Sequence, residues 1–476
     1  MKTNKGHQTI VIYIFSIISS LISIGLNFFL ARTLGAHEYG GLQYFLSLIL
    51  TTTSFLVFGM VPYLMRESGN ENNKNVLNRC ISYYSIICLF ALPIMYFIFK
   101  NDNNLQDSLS IWMIIIASIF YGLVLLFGGY FTGIGKHDIS VNIDSLIPKT
   151  ILFLTSVVFI LIYRVSFFNG LFLIIHTFIY FVIGTFLLLR HFRKIDLKTN
   201  RQEFISISFF FGTTITNTLT SNLTKVLQVS LFENSVVLAI ISISLSIVAV
   251  ANIFTSVISS IANPIFAKLK RDNENNSVIN LLRFITRCNS YICVPLFLFF
   301  ALHANRFLSL FGSEYTIYPY IFVILSLKTL FTSILGSNGT LLSMTKKENL
   351  ELINGILHLL SFLILCFVFS FDPIYGLCLS LSISDILISI IKFIEVWFIY
   401  KRPPLDIKTI VKILLVIVSN ILLIWATKFI FNNILWFILS GLLGIACIVL
   451  NFIIPIYKAD FKTLIHLNRS KNEKGN

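Results

Sequence analysis

The residues that could do chemistry in this chain are charges set inside long apolar runs. Most cations fall in polar stretches, but Lys149, Lys225, Arg283, Arg287, Lys328, Lys392 and Lys412 lie within apolar segments or at their edges. A charge in hydrocarbon costs several kcal/mol, so such a residue faces water, a partner or a ligand. Arg283, Arg287 and Lys412 sit close enough to segment ends to snorkel. Lys149 and Lys328 lie about ten residues in, roughly 15 Å along a helix, which is mid-membrane depth. Lys225 ends a run unusually rich in hydroxyls and amides, from Thr213 through Thr214, Asn217, Thr218, Ser221 and Asn222. Thr214, Asn217 or Thr218, Ser221, Lys225 and Gln228 step by three and four and share a helix face. Acids at comparable depth are few: Asp144, Asp385 and Glu395. Lys392 and Glu395, three apart, are expected to pair, whereas Asp144 and Lys149, five apart, have poor geometry for pairing on an α-helix. The balance is cationic, as an anionic ligand requires.

Polar stripes recur elsewhere. Ser16, Ser20, Ser23 and Asn27 lead toward Arg32; Gln43, Ser47, Thr51 and Ser54 form a second; Asn252, Ser256, Ser259 and Asn263 form another. Such stripes also arise from polar packing between membrane helices. Here amides accompany the hydroxyls and one stripe ends in lysine, so they are read as the lining of a cleft. The expected cavity residues are Arg32, Lys149, Asn217, Ser221, Lys225, Asn252, Ser256, Lys328 and Asp385.

The elements that must position these residues follow from composition. The chain has 476 residues, 56% hydrophobic and only 12% charged, about half the charge a soluble surface carries. Its solvent is therefore a bilayer. Spanning helices need about 20 mostly apolar residues, with every backbone group paired internally. Candidate segments are 9–31, 40–64, 80–99, 108–131, 139–163, 167–189, 204–231, 235–262, 279–302, 317–343, 350–370, 375–399, 409–430 and 433–457. The fold class is thus an all-α integral membrane protein with about fourteen transmembrane helices. The first segment is expected to be retained rather than cleaved, because more spans follow directly.

Lysine and arginine concentrate in alternate loops, most densely at Arg190, Arg193, Lys194, Lys198 and Arg201. By the positive-inside rule both ends are then cytoplasmic, and the net charge of +15 reports topology, with no nucleic-acid partner implied. The same basic loop suggests two six-helix lobes, 1–189 and 204–400, plus a helix pair at 409–457, a layout seen in transporters built from repeats. The polar stripes then fall on helices 1, 2, 7 and 8, equivalent positions in the two lobes, with the last pair outside the cleft. The seven cysteines form no CxxC or Cys/His cluster and read as small core hydrophobes. Walker, GxGxxG and HExxH motifs are absent, so neither bond chemistry, a metal nor a cofactor is expected.

The stretch Ala31-Arg32-Thr33-Leu34-Gly35-Ala36-His37-Glu38-Tyr39-Gly40 resembles the R-x-L-G-x-x-x-Y-G signature of polysaccharide export proteins. These are the Wzx-type flippases of O-antigen and capsule repeat units in the MOP superfamily. Phe311-Gly312-Ser313-Glu314-Tyr315, Tyr375-Gly376 and the stretch around Lys225-Val226-Leu227 with Glu233 are similar too. Lys225 is a departure, since many relatives place an acid near this point.

The resemblance implies a non-enzymatic flippase of the bacterial cytoplasmic membrane. It would carry undecaprenyl-pyrophosphate-linked oligosaccharides between leaflets by alternating access, alongside a polysaccharide polymerase. A cation-coupled exporter of drugs or metabolites, as in the MATE branch, is the alternative and needs a deep acid, for which Asp385 and Asp144 are the candidates. A membrane-embedded polymerase or acyltransferase fits less well, because no large outward loop and no paired acidic or His residues are present.

Overall fold

The computed structural model describes residues 5–453 apart from 69–74, 102–107, 135, 163–167, 193–194, 197–200, 231–233, 272–273, 336, 345–347, 406 and 429–432. The described residues are helical with no strand. In order the helices are α1 (Lys5–Val57), α2 (Met60–Glu67), α3 (Val76–Lys100), α4 (Ser108–Gly133), α5 (His137–Val141), a π turn (Asn142–Leu146), α6 (Ile147–Ile162), α7 (Phe168–His191), α8 (Arg201–Ser230), α9 (Ser235–Arg271), α10 (Asn275–Leu302), α11 (Ala304–Ser309), a 3₁₀ turn (Ser313–Thr316), α12 (Pro319–Leu335), α13 (Ser337–Met344), α14 (Glu348–Val368), α15 (Gly376–Tyr400), α16 (Ile407–Lys428) and α17 (Asn433–Ile453).

Among the described residues, nine helices are long and apolar enough to cross a membrane, and Pro319–Leu335, Ile410–Leu422 and Leu439–Val449 are shorter apolar stretches. The protein is therefore a multi-pass all-α membrane protein. Each segment expected from hydropathy coincides with a helix or a helix pair. α1 accommodates the first two, and α8 falls short of the apolar threshold because its Thr, Asn, Ser and Gln residues dilute it.

α1 is two helices joined at Gly35, whose backbone (φ 78°, ψ 170°) lies in a region open essentially to glycine alone. The signature-like stretch is the joint itself. Leu34 and Tyr39 are buried, and the Tyr39 hydroxyl donates to Asn27 Oδ1 at 3.1 Å. Gly40 lies so close to the start of α9 that an added Cβ would fall 1.9 Å from the Ser235 carbonyl oxygen. Gly312 (φ 145°) plays a similar part before α12, where the buried Tyr315 ring packs 6.4 Å from Phe311.

The helix through α5 and α6 does not keep α-helical register. At the π turn the amide of Ile147 donates to the carbonyl of Asn142, five residues back. Pro148 explains this: it has no N–H for the Asp144 carbonyl, and its ring would press on that carbonyl in an unbroken α-helix. α4 makes room for the bulge at Gly128, where an added Cβ would sit 3.3 Å from Ser140 Oγ and 3.9 Å from Asp144 Cβ.

The chain forms two compact units: residues up to Ile243 together with Ser370–Leu377, and Ser244–Phe369 together with the chain from Cys378 on. In the first, α8 packs along α1 and α2. Phe58 stacks on Phe211 with ring centroids 4.0 Å apart, and the Arg79 guanidinium reaches both carboxylate oxygens of Glu203 at 2.9 and 3.0 Å. A core of Met60, Tyr63, Leu64, Cys80, Tyr84 and Phe127 lies behind. In the second unit α10 is central, packing against α12, α16 and α17. Its core includes Phe266, Leu282, Cys288, Leu342 and Val396. Six of the seven cysteines are buried, as expected of small core residues.

Candidate functional site

In the second unit the intramembrane charges form one seam across three helices. α14 presents Glu351, Asn354 and His358 at spacings of three and four, and α15 presents Asp385, Lys392 and Glu395 in matching register. Lys328 of α12 places its Nζ 2.6 Å from Asp385 Oδ2. His358 Nε2 lies 3.0 Å from Asp385 Oδ1. One helical stretch away, Lys392 Nζ pairs with Glu351 Oε1 at 2.5 Å, and Asn354 Nδ2 donates to Glu395 Oε2 at 2.7 Å. Gly339 of α13 closes over this second pair, its would-be Cβ 3.1 Å from Lys392 Nζ.

The expected Lys392–Glu395 pairing is therefore corrected. A neighbouring helix supplies an acid at direct hydrogen-bond distance, and Glu395 turns to an amide instead. Lys328 and Asp385, both read as cavity residues, hold each other and are largely shielded, with 17% of each side chain exposed.

The first unit has the opposite character. Lys149 on α6 and Lys225 on α8 are half-buried, and among the described residues neither makes an ion pair or a hydrogen bond. Asp144 is near enough for its charge to act on Lys149, yet the two form no ion pair. Lys225 lies one turn before Gln228, which is fully buried and donates from Nε2 to the Pro373 carbonyl at 2.8 Å. That carbonyl belongs to the turn before α15, where Asp372 Oδ1 accepts the amides of Ile374 and Tyr375 at 2.9 and 3.0 Å. Arg32 is exposed, three residues before the Gly35 joint.

The hydroxyls of α8 are engaged with its own backbone: Thr216 on Gly212, Thr220 on Thr216 and Thr224 on Thr220. Ser47 and Thr51 of α1 bond in the same manner to Gln43 and Ser47. These residues satisfy themselves in an apolar setting, and their sequence pattern alone does not mark a ligand surface. The amides differ. Asn27 gathers the Tyr39 hydroxyl and Gln43 Nε2, the latter at 3.5 Å, and so joins the two α1 stripes across the Gly35 joint. Asn252 on α9 is exposed. Asn217 and Ser221 on α8, and Ser256 on α9, lie with their side chains outside the described residues.

No sequence signal pairs His358 or Glu351 with α15. The three-and-four spacing of Glu351, Asn354 and His358 is the sole hint, and it becomes meaningful once α14 is known to lie on α15. Among the described residues no group of three or more His, Cys, Asp and Glu is placed to hold a metal ion.

By sequence the chain matches no family model and no curated protein. By fold it is similar to transporters of the MOP superfamily. The lipid II flippase MurJ in an inward closed conformation superposes with a TM-score of 0.63 at 18% identity, covering 96% of this chain and 100% of that one. An inward-facing multidrug resistance MATE family transporter gives a TM-score of 0.63 at 11% identity, covering 83% of this chain and 98% of that one. An outward-facing MATE family transporter gives 0.57 at 13% identity, with 84% and 97% covered.

Proposed function

We propose that this protein is a flippase for an anionic lipid-linked oligosaccharide, an undecaprenyl-pyrophosphate-linked repeat unit on its way to O-antigen or capsule, moved across the bacterial cytoplasmic membrane by alternating access. The observation that carries this reading is the two intramembrane lysines of the first unit, Lys149 and Lys225, neither of which makes an ion pair or a hydrogen bond among the described residues. A lysine ammonium is a mobile point charge suited to a phosphate that slides past it. Arg32 would add its charge for the pyrophosphate at the outer rim, and the polar side chains of α8, including Asn217 and Ser221, would meet the sugar. On this reading both chain ends are cytoplasmic, and the polymerase receives the product.

Coverage favours the same reading. The superposed MATE transporters leave about a sixth of this chain unmatched, whereas the lipid-substrate relative in fold spans nearly all of it. The cation-coupled drug exporter remains the second reading. It needs an acid open to a cationic ligand; Asp385 is already engaged by Lys328 and His358, and Asp144 lies in the field of the Lys149 cation.

The test is reconstitution in liposomes with a labelled polyprenyl-diphosphate oligosaccharide, scoring protection of the glycan from an external glycosidase. Protein-dependent loss of protection is the expected outcome. Ethidium transport without movement of the glycolipid would overturn the proposal in favour of the exporter.

A further inference from the structure

Three cations near segment ends, Arg283, Arg287 and Lys412, take no part in the substrate reading, and the second unit brings them to one edge. α10 and α16 pack side by side and run in the same direction. Tyr291 and Val294 of α10 share a buried cluster with Val416 of α16. Nearer both N-termini, Arg283 Nη2 donates to the carbonyl of Pro403, in the turn before α16, at 2.8 Å. Arg287 lies one turn before Tyr291, and Lys412 one turn before Val416. The register therefore sets Arg287 and Lys412 level with each other at the α10–α16 seam, with Arg283 a turn below. All three side chains are half-buried.

The surroundings of the seam are basic. Residues 401–412 together with Arg283 and Arg287 hold six cations, the others being Lys401, Arg402 and Lys408, against one acid, Asp406. Glu274, before α10, lies more than two turns from Arg283. The acids of the neighbouring α14 and α15, Glu351 and Glu395, are taken by Lys392 and Asn354. Like charges gathered at the edge of an apolar span repel one another, and an anion at the seam relieves that repulsion.

The surface beside the cations selects an amphiphile over a free ion. Val411, Leu414, Leu415 and Val418 of α16 are exposed and share one helix face. This apolar strip starts beside Lys412 and runs toward mid-span. A phosphodiester suits guanidinium and ammonium donors together, and Arg283, with one N–H on Pro403, has others to offer. Phosphate at the cations and acyl chains along the strip is the layout of a phospholipid in the leaflet where α10 and α16 begin. The loop cations make that leaflet the cytoplasmic one, whose anionic headgroups attract basic groups at the ends of spanning helices.

We propose that the α10–α16 seam binds an anionic phospholipid, its phosphate held by Arg287 and Lys412 with Arg283 beside them and its acyl chains along α16. The site goes beyond the flippase reading and does not depend on it, because an exporter with the same two helices would carry it as well.

The test adds phosphatidylglycerol to the full-length protein in uncharged detergent, with zwitterionic phosphatidylcholine as control. Unfolding temperature and lipid adducts in native mass spectra are the readouts. Phosphatidylglycerol is expected to raise the unfolding temperature and to form an adduct that phosphatidylcholine does not. Its affinity should fall roughly 5-fold in Arg287→Gln or Lys412→Gln and roughly 25-fold in the double variant. Lys136→Gln, which removes an exposed cation of the first unit, should bind as wild type does. Equal effects of the two lipids, or a double variant with wild-type affinity, overturn the proposal. Inorganic phosphate at the same concentration is expected to do nothing, and stabilisation by phosphate alone would overturn the lipid assignment. Displacement of phosphatidylglycerol by an equimolar polyprenyl-diphosphate oligosaccharide would give the seam to the transported lipid instead, again overturning the proposal. If the double variant does not fold, phosphatidylglycerol with a photoreactive acyl chain is crosslinked to the wild-type protein. Labelling of α16 or the facing part of α10 is expected, and labelling confined to other helices overturns the site.

Discussion

Lys328 Nζ and Asp385 Oδ2 lie 2.6 Å apart and tie α12 to α15 in a membrane where neither charge can be left alone. Removing one partner strands the other, which costs about 3–5 kcal/mol for a buried pair. Asp385→Asn is therefore expected to lower the unfolding temperature in detergent sharply, and Lys328→Gln to do the same. The double variant Lys328→Met, Asp385→Leu should lie closer to wild type than either single change. Wild-type melting in Asp385→Asn would show that the pair does not hold the second unit together.

The two glycines of the α1 joint should fail differently. Gly35→Ala forces a side chain into a backbone region that costs about 1–3 kcal/mol. It is expected to fold at reduced yield. Gly40→Ala drives a methyl into the Ser235 carbonyl, so α1 and α9 must separate. Size-exclusion profiles of detergent extracts distinguish the two: a monodisperse but diminished peak for Gly35→Ala, and aggregation for Gly40→Ala. A normal profile for Gly40→Ala would contradict the close approach.

Charge at Lys149 and Lys225 is expected to matter more than shape. Losing one charged hydrogen bond to phosphate costs about 1.5–3 kcal/mol, or roughly 10- to 100-fold in transport where that contact limits the rate. Arg at either position should retain more flipping than Gln, at matched protein level. Lys328→Arg and Lys328→Gln serve as the contrast, because that ammonium answers to Asp385 and its loss should appear first in stability. Full glycan display in a Lys149→Gln, Lys225→Gln double variant would remove the phosphate role.

Sidedness follows from the loop cations. Single cysteines at Asn72 and Asn200 should be shielded from an impermeant external thiol reagent in intact cells, and those at Asn103 and Ser309 should react. Labelling at Asn200 would reverse the orientation.

Apolar runs of spanning length were readable directly, because hydrocarbon imposes helix and length together. α8 was readable from its flanks, since its interior is polar. The pairings were not. Lys392 has an acid three residues away on its own helix and another 2.5 Å away on α14, and sequence spacing reveals just the first. Asp144 and Lys149 are poorly spaced for pairing, and among the described residues they form no ion pair, although the π turn beside Pro148 shifts the register between them. The hydroxyl stripes do not by themselves mark a cleft, for a physical reason: Thr and Ser can satisfy themselves on the preceding turn and need no ligand.

The π turn also has a consequence for how this chain tolerates change in length. It carries one residue more than an α-helix would use between the same two ends. Every side chain before it is therefore rotated by about 100° from where uninterrupted winding would place it relative to α6. Deleting a single residue between Asn142 and Leu146, with Pro148 replaced, lets the helix close into ordinary register without shortening the span. Such a deletion is expected to insert and fold while turning Asp144 away from Gly128 of α4, which separates the carboxyl's position from its presence in a way that no substitution can.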